Sequence, residues 1–181
     1  SRGNIIDAVR ASLDRLQTDH IDLLYLHTFD PTIEIEESLA AIEDLVSKDM
    51  IRYFAVSNFT IENLKAYQLV QNKLSVRTRI TAVQNQFDIL QGEPVGYAKV
   101  MEYAAESGIS FVAWSPLARG LLTGRYLEMA SVGVGHRLFD EGTIKHVNPL
   151  SLEKARHLAV LSQQWNMTLN QLTLAYMLSL P

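Results

Sequence analysis

The 181-residue sequence contains no cysteine, which excludes disulfides, thiol catalysis and cysteine-ligated metal sites. This composition fits a reducing compartment, and we expect a cytoplasmic location. No apolar stretch approaches the length needed to span a bilayer, and the opening residues, SRGNIIDAVR, hold no apolar signal core. The net charge of −4 provides no excess of positive charge for binding nucleic acid or an anionic membrane. Neither partner is therefore expected.

The remaining composition is that of an ordinary soluble globular protein, with 48% hydrophobic and 20% charged residues. The length predicts a single domain over residues 1–181 with a sizeable core. Strand and helix patterns alternate four times, which predicts an α/β architecture with a parallel sheet. The predicted strands cover 21–27, 51–59, 80–87 and 109–117, and the predicted helices cover 5–16, 31–50, 60–74 and 94–108.

Local signals mark several of these boundaries. Pro31 and Thr32 are expected to open the second helix, Thr60 to cap the third, and Gly108 to close the fourth. The apolar run 21–27 is typical of a strand buried on both faces. A long irregular segment, 124–149, separates the fourth strand from two final helices, and a loop of this length is usually functional or mobile. The last helix begins with a capping box formed by Thr168 and Gln171.

Each predicted strand ends in residues able to form hydrogen bonds. These are His27 after the first strand, Ser57 and Asn58 after the second, Gln84 and Asn85 after the third, and Trp114 and Ser115 after the fourth. Ligands of parallel α/β folds bind at these carboxyl ends. Strand ends also meet water, so one polar end means little, but four together favour a shared site because buried amides and imidazoles need partners.

Two stretches suggest particular chemistry. His27 is either an acid, base or orienting donor, or a histidine bonded to a backbone carbonyl, and the other histidines show no metal-ligand spacing with it. The stretch SPLARGLLTGRY, residues 115–126, places Gly120, Gly124, Arg119 and Arg125 directly after a strand, a combination that suits a phosphate group. It has neither the Rossmann nor the P-loop spacing. Trp114 is either a stacking surface for a flat ring or ordinary core.

Four segments in this order and spacing, LQTDHIDLLYLHTFDP, IRYFAVSNF, VQNQFDIL and VAWSPLARGLLTGRY, resemble the aldo-keto reductases. The resemblance extends over nearly the whole chain. It implies a (β/α)8 barrel of the TIM type, an NADP (NADPH) cofactor with NAD not excluded, and the reduction of aldehydes and ketones, so that the expected partner is a small carbonyl substrate.

The resemblance also assigns residues to roles. His27 matches the active-site histidine that donates a hydrogen bond to the substrate carbonyl. Ser57, Asn58 and Gln84 match the residues that hold the nicotinamide carboxamide, and Trp114 matches the aromatic on which the nicotinamide stacks. The segment that wraps the cofactor pyrophosphate is matched by Ser115, Leu117, Gly120, Leu122, Gly124 and Arg125. Two positions depart from the family pattern: Gln86 replaces the usual glutamate and Phe87 the usual tyrosine.

By the same resemblance, the chain is expected to be an internal portion of such a barrel, with about four of its eight strands. The family's proton-donor tyrosine and its partner aspartate and lysine have no counterpart here, so we expect little or no activity from this chain alone. An unclosed sheet would expose edges that favour self-association or association with the missing barrel parts.

Two alternatives remain open at this stage. One is a non-catalytic, cofactor-binding regulatory subunit like the reductase-related beta subunits of potassium channels. The other is a (β/α)8 hydrolase that would use His27 with Asp30, the nearest carboxylate in that loop.

Overall fold

The chain folds into two compact units in a computed structural model that describes residues 1–74 and 78–180. Unit 1 comprises Ser1–Asn85 and Val95–Val112, and unit 2 comprises Gln86–Pro94 and Ala113–Pro181. The expectation of a single domain stays a prediction. Among the described residues, no helix combines the length and the apolar character needed to cross a bilayer.

The order of strands and helices confirms the predicted alternation. The elements are α1 (Arg2–Leu16), β1 (Ile21–Leu26), α2 (Ile35–Ser47), β2 (Ile51–Ser57), α3 (Ile61–Leu74), β3 (Ile80–Gln86), α4 (Val100–Glu106), β4 (Ser110–Trp114), α5 (Arg137–Asp140), α6 (Pro149–Gln164) and α7 (Leu169–Leu178). The strands form one sheet in the order β1-β2-β3-β4, with β1 parallel to β2 and β2 parallel to β3. Parallel pairing with helical connections places the carboxyl ends of these strands at the same edge of the sheet.

The core of unit 1 lies between the sheet and its helices. In α2, Leu39, Ile42 and Leu45 recur at helical spacing and are all at most 2% exposed. They belong to one apolar cluster with Phe54 and Val83 of the sheet. Each such side chain contributes about 1.5–3 kcal/mol by leaving water, so the periodicity of α2 and the apolar strands together fix this packing.

Three predicted details of unit 1 are wrong. The helix predicted over 94–108 is a single 3-10 turn, Val95–Tyr97, followed by α4, with Lys99 between them in a left-handed conformation at φ 64°. Val100 and Ala104 are buried whereas Val95 is 96% exposed, so only the second half of the segment has an apolar face to bury. The predicted end is confirmed, because Gly108 has φ +67° and the N–H of Ile109 returns to the Ala104 carbonyl at 2.8 Å.

The second helix begins at Ile35 rather than at Pro31, because Asp30 holds the preceding residues in a turn. The first strand is not buried on both faces. Its Leu23 is 37% exposed, and the register partner Tyr53 on β2 is 59% exposed. The part of the chain that the structure describes provides no cover for these two side chains.

Unit 2 has its own core, built from the loop after β4, the irregular segment and the two final helices. Leu121, Leu122, Tyr126, Leu138 and Ala155 form its buried centre. The predicted irregular segment contains only α5 and two 3-10 turns, Met129–Ser131 and Ile144–His146.

The caps predicted for α3 and α7 are present. The Thr168–Gln171 capping box of α7 is present in both directions. The Thr60 hydroxyl likewise accepts the N–H of Asn63 at 3.3 Å, which confirms the predicted cap of α3.

Candidate functional site

In unit 1, the predicted site residues at the strand ends are joined by hydrogen bonds. The side-chain amide of Asn58 donates to the His27 carbonyl at 2.9 Å and to the Ser57 hydroxyl at 3.1 Å. The Ser57 hydroxyl donates to the Gln84 carbonyl at 2.9 Å, and the Asn58 N–H donates to the same carbonyl at 3.0 Å. The cluster therefore ties the ends of β1, β2 and β3 together, as the parallel topology predicts.

The members of this cluster differ in what they offer a ligand. Ser57 is 2% exposed, and its hydroxyl donates a hydrogen bond to the Gln84 carbonyl. This bond holds the strand end in position. The imidazole of His27 is exposed, and neither it nor the side-chain amide of Gln84 has a hydrogen-bond partner within residues 1–74 and 78–180. An imidazole and a primary amide at neighbouring strand ends are donors suited to a carbonyl oxygen.

The carboxylate of Asp30 is occupied elsewhere. It accepts the Thr32 N–H at 2.9 Å and the Thr32 hydroxyl at 2.6 Å. These bonds, first that from the hydroxyl, hold the pKa of Asp30 below its ordinary value of 3.8. No hydrogen bond joins Asp30 to His27 in the described chain, so nothing supports the hydrolase pair.

Asn85 holds the chain that leaves β2. It is fully buried, accepts the Phe59 N–H at 3.2 Å and donates to the Phe59 carbonyl at 2.8 Å. The Phe59 ring packs edge-on against Phe29 and Tyr67, with centroids 5.7 and 5.2 Å away. Phe29 lies two residues after His27, so this cluster fixes the loops after β1 and β2. From the sequence, Asn85 was predicted only to be a polar residue at the end of a strand. Its position within an apolar strand could have indicated that its amide is buried and holds the backbone.

In unit 2, the segment after β4 forms an unusual loop. Ala118, Arg119 and Gly120 are consecutive residues with left-handed backbone, at φ 48°, 56° and 104°. Such conformations cost about 1–3 kcal/mol for a residue with a side chain and are concentrated at ligand sites. Successive N–H groups in turns of this kind form concavities that bind anions.

A cavity of about 310 Å³ opens beside this loop. Four predicted cofactor residues line it, namely Ser115, Leu117, Gly120 and Arg125. Leu122 does not line it, because its side chain is fully buried in the core of unit 2, and neither does Gly124. Trp114 is 37% exposed and lines a second, larger cavity together with Ser115.

Two further arginines lie at the smaller cavity, Arg119 and Arg137. Both bind Glu141, Arg119 through a contact of 2.5 Å and Arg137 through one of 2.8 Å. The bonds from Arg137 and then Arg119 hold the pKa of Glu141 below its ordinary value. Arg125 has no ion pair within the described ranges. Sequence reasoning missed Arg137, which lies in the irregular segment outside any motif.

The larger cavity has a volume of about 690 Å³ and belongs entirely to unit 2. Its lining combines apolar side chains with Arg119, Arg137 and His146, and with Asp88. Asp88 is 1% exposed, and burial raises the pKa of its carboxyl. No group of histidines and carboxylates able to hold a metal ion occurs among residues 1–74 and 78–180.

Comparison with known proteins gives a family match over the whole chain. The model of the "Aldo/keto reductase family" matches residues 1–181. The chain is 29% identical over 178 residues to the aldo-keto reductase AMT2 of Alternaria alternata, covering 98% of this chain and 47% of that protein. It is 34% identical over 128 residues to the aldo-keto reductase YhdN of Bacillus subtilis, covering 71% and 36%.

A third relative, the aldo-keto reductase dtxS3 of Metarhizium robertsii, is 33% identical over 125 residues, covering 69% of this chain and 33% of that protein. The chain thus spans between about a third and a half of the length of the curated relatives it matches.

Proposed function

The chain belongs to the aldo/keto reductase family, and we propose that it serves the NAD(P)H-dependent reduction of aldehydes and ketones to alcohols, with NADPH as the cofactor. The α/β fold with parallel strands agrees with part of a (β/α)8 barrel. The observation that carries the proposal is the left-handed loop of unit 2 with its arginine-lined cavity, which directly follows Trp114.

The residues of unit 2 fit a dinucleotide by their chemistry. Guanidinium groups and the loop N–H groups would hold the pyrophosphate, and Arg125 has no competing carboxylate within residues 1–74 and 78–180. The partly exposed indole of Trp114 provides a flat apolar surface for a ring. When bound, the reduced nicotinamide would supply a hydride to the carbonyl carbon of the substrate.

The residues of unit 1 would act on the substrate carbonyl. An N–H of His27 would donate to the carbonyl oxygen, stabilise the negative charge that grows there and orient the carbonyl group. A proton taken up from solvent water then completes the alcohol at this oxygen. Asn58 acts by holding the His27 carbonyl, which fixes the position of the histidine at the strand end.

The test is a titration with NADPH followed by tryptophan fluorescence. The chain has two tryptophans, Trp114 and Trp165, so the titration is made in a Trp165→Phe background in which Trp114 is the only indole. We expect saturable quenching. Arg125→Gln should weaken binding about tenfold to a hundredfold, the range of one charge-assisted hydrogen bond to a phosphate.

A matched control is Arg156→Gln, because Arg156 is exposed on α6 and its side chain binds the Leu127 carbonyl outside the arginine-lined cavity. The control should bind NADPH like the parent. Absence of saturable quenching, or an equal loss in both arginine variants, would contradict the proposed cofactor site. A comparison of NADPH with NADH in the same titration tests the choice of cofactor.

A further inference from the structure

We propose that the larger cavity of unit 2 binds a ring compound that carries a hydroxyl group, and that Asp88 accepts a hydrogen bond from this hydroxyl. This extends the proposed function by naming a feature of the substrate, and that interpretation rests on the proposed carbonyl reduction. The binding step itself can be measured without cofactor or turnover.

The first argument is the state of the Asp88 carboxylate. One oxygen, Oδ1, accepts the N–H groups of Leu90 and Gln91 at 2.9 and 3.1 Å and so closes a turn after β3. Within residues 1–74 and 78–180, no donor contacts the other oxygen, Oδ2. No fully buried side-chain nitrogen or oxygen of the described residues lacks a partner. The unpaired Oδ2 must therefore keep some accessible surface, and Asp88 is one of the residues that line the larger cavity.

The second argument is the cost of this arrangement. Asp88 is 1% exposed, and a buried carboxylate oxygen without a full set of donors is unfavourable. An asparagine would close the same turn through its carbonyl oxygen without carrying a charge. A buried charge that the turn does not need, and that faces a cavity, is best explained by a donor that a ligand supplies.

The third argument concerns the chemistry of the ligand. Leu121, Leu138, Val147 and Trp114 line the same cavity, and its volume of about 690 Å³ lies within the usual range for small-molecule sites. Apolar walls of this kind favour a ring. Arg119 and Arg137 also line the cavity and disfavour a cationic ligand. The ammonium of Lys154, which binds the Leu90 carbonyl at 2.9 Å, already lies near the carboxylate. A neutral hydroxyl is therefore a better donor to Asp88 than an ammonium group.

The test compares two probes, 3-hydroxybenzaldehyde, whose hydroxyl can donate a hydrogen bond, and 3-methoxybenzaldehyde, in which a methyl group replaces the donated proton. Their dissociation constants are measured by calorimetry with the cofactor-free protein. We expect the hydroxy compound to bind at least about tenfold more tightly, the range of a hydrogen bond to a charged group. In Asp88→Asn the preference should fall to within about threefold, because the amide that replaces Oδ2 donates instead of accepting.

Two controls keep the result interpretable. Asp88→Asn retains an oxygen for the Leu90 and Gln91 N–H groups, so its thermal midpoint should not fall below that of the parent. Glu153→Gln makes the same change of charge on an exposed residue of α6 that does not line the cavity, and it should leave the preference unchanged.

The outcomes separate this inference from the proposed function. A hydroxyl preference that persists in Asp88→Asn, equal binding of the two probes to the parent, or no binding of either would overturn the inference. Binding of NADPH as proposed, together with equal binding of the two probes, would overturn it while leaving the proposed function intact. A preference lost in Asp88→Asn would support it even if NADPH failed to bind.

Discussion

The amide of Asn85 should be the most sensitive single group for both stability and the geometry of the strand ends. It is fully buried and makes two hydrogen bonds to the backbone of Phe59. Asn85→Ala removes both partners and leaves a buried N–H and a buried carbonyl of Phe59 without a bond. Each unpaired group costs about 1–3 kcal/mol, so we expect a loss of about 2–6 kcal/mol in the free energy of unfolding.

The assay is urea unfolding followed by far-UV circular dichroism, with a thermal melt as a second measurement. A loss of about 2–6 kcal/mol corresponds to a fall of roughly 4–24 °C in the thermal midpoint for a chain of this size. The matched control is Asn72→Ala, which removes an exposed asparagine whose Oδ1 accepts from Arg79 at 2.9 Å. This variant should change the free energy by less than about 0.5 kcal/mol.

A second measurement separates a local effect from a global one. Phe59 follows Asn58, whose amide donates to the His27 carbonyl, so the Asn85→Ala change should also shift the NMR signals of the His27 ring. A loss below about 1 kcal/mol would mean that water or a relaxed backbone satisfies Phe59, which would refute the argument from buried partners. A large loss with unmoved His27 signals would refute the link to the strand end.

Three further changes test other parts of the structure. Asp88→Asn should raise the urea midpoint at neutral pH. Burial raises the folded pKa of Asp88, so the parent loses stability as the pH rises from 3.8 through that value, and the gain should vanish at lower pH. Glu141→Gln should tighten NADPH binding by up to about fivefold at low salt, because it frees two arginines. Gly120→Ala should cost about 1–2 kcal/mol at φ +104°, with its Cβ 3.3 Å from the Tyr126 ring, whereas Gly3→Ala in α1 should add up to about 1 kcal/mol.

Each of these changes has an outcome that would contradict it. If the stability difference between Asp88→Asn and the parent did not change with pH, the charge of the buried Asp88 carboxylate would not be the cause of that difference. Weaker NADPH binding in Glu141→Gln, or the same gain in the exposed control Glu128→Gln, would contradict the idea that the Glu141 carboxylate competes with the cofactor phosphate for the arginines. A Gly120→Ala protein as stable as the parent would show that the loop relaxes around the added methyl group.

The sequence predicted the parts of the fold that local patterns determine. The apolar runs became β1 to β4, and the spacing of Leu39, Ile42 and Leu45 became the buried face of α2, because periodicity alone decides which side of an element is apolar. Parallel pairing of β1, β2 and β3 then brought the polar ends of these three strands together. The prediction of one helix over 94–108 failed at Lys99 because helix length depends on tertiary packing. The first turn of a helix needs an apolar surface to pack against, and Val95 remains exposed.

The residues that sequence reasoning missed gain their roles from tertiary structure. Arg137 lies 12 residues beyond Arg125 in the chain, and only the path of the irregular segment brings it to Glu141 and Arg119. Asp88 looks like an ordinary turn residue, and its turn is indeed present. Its importance comes from burial and from a cavity, neither of which a local pattern encodes.

The hydrogen bonds divide the candidate residues into those that hold the site and those that remain for a ligand. The side chains of Ser57 and Asn58 donate hydrogen bonds to the carbonyls of Gln84 and His27, so they fix backbone positions. Within the described residues, the imidazole of His27 and the side-chain amide of Gln84 make no such bonds. A preorganised site requires rigid strand ends whose hydrogen-bond donors are still available to a ligand. Such donors need no reorganisation when charge develops on a substrate. Replacing Ser57 by alanine should therefore disturb the position of the strand ends, whereas replacing Gln84 by alanine should weaken ligand binding and leave stability nearly unchanged.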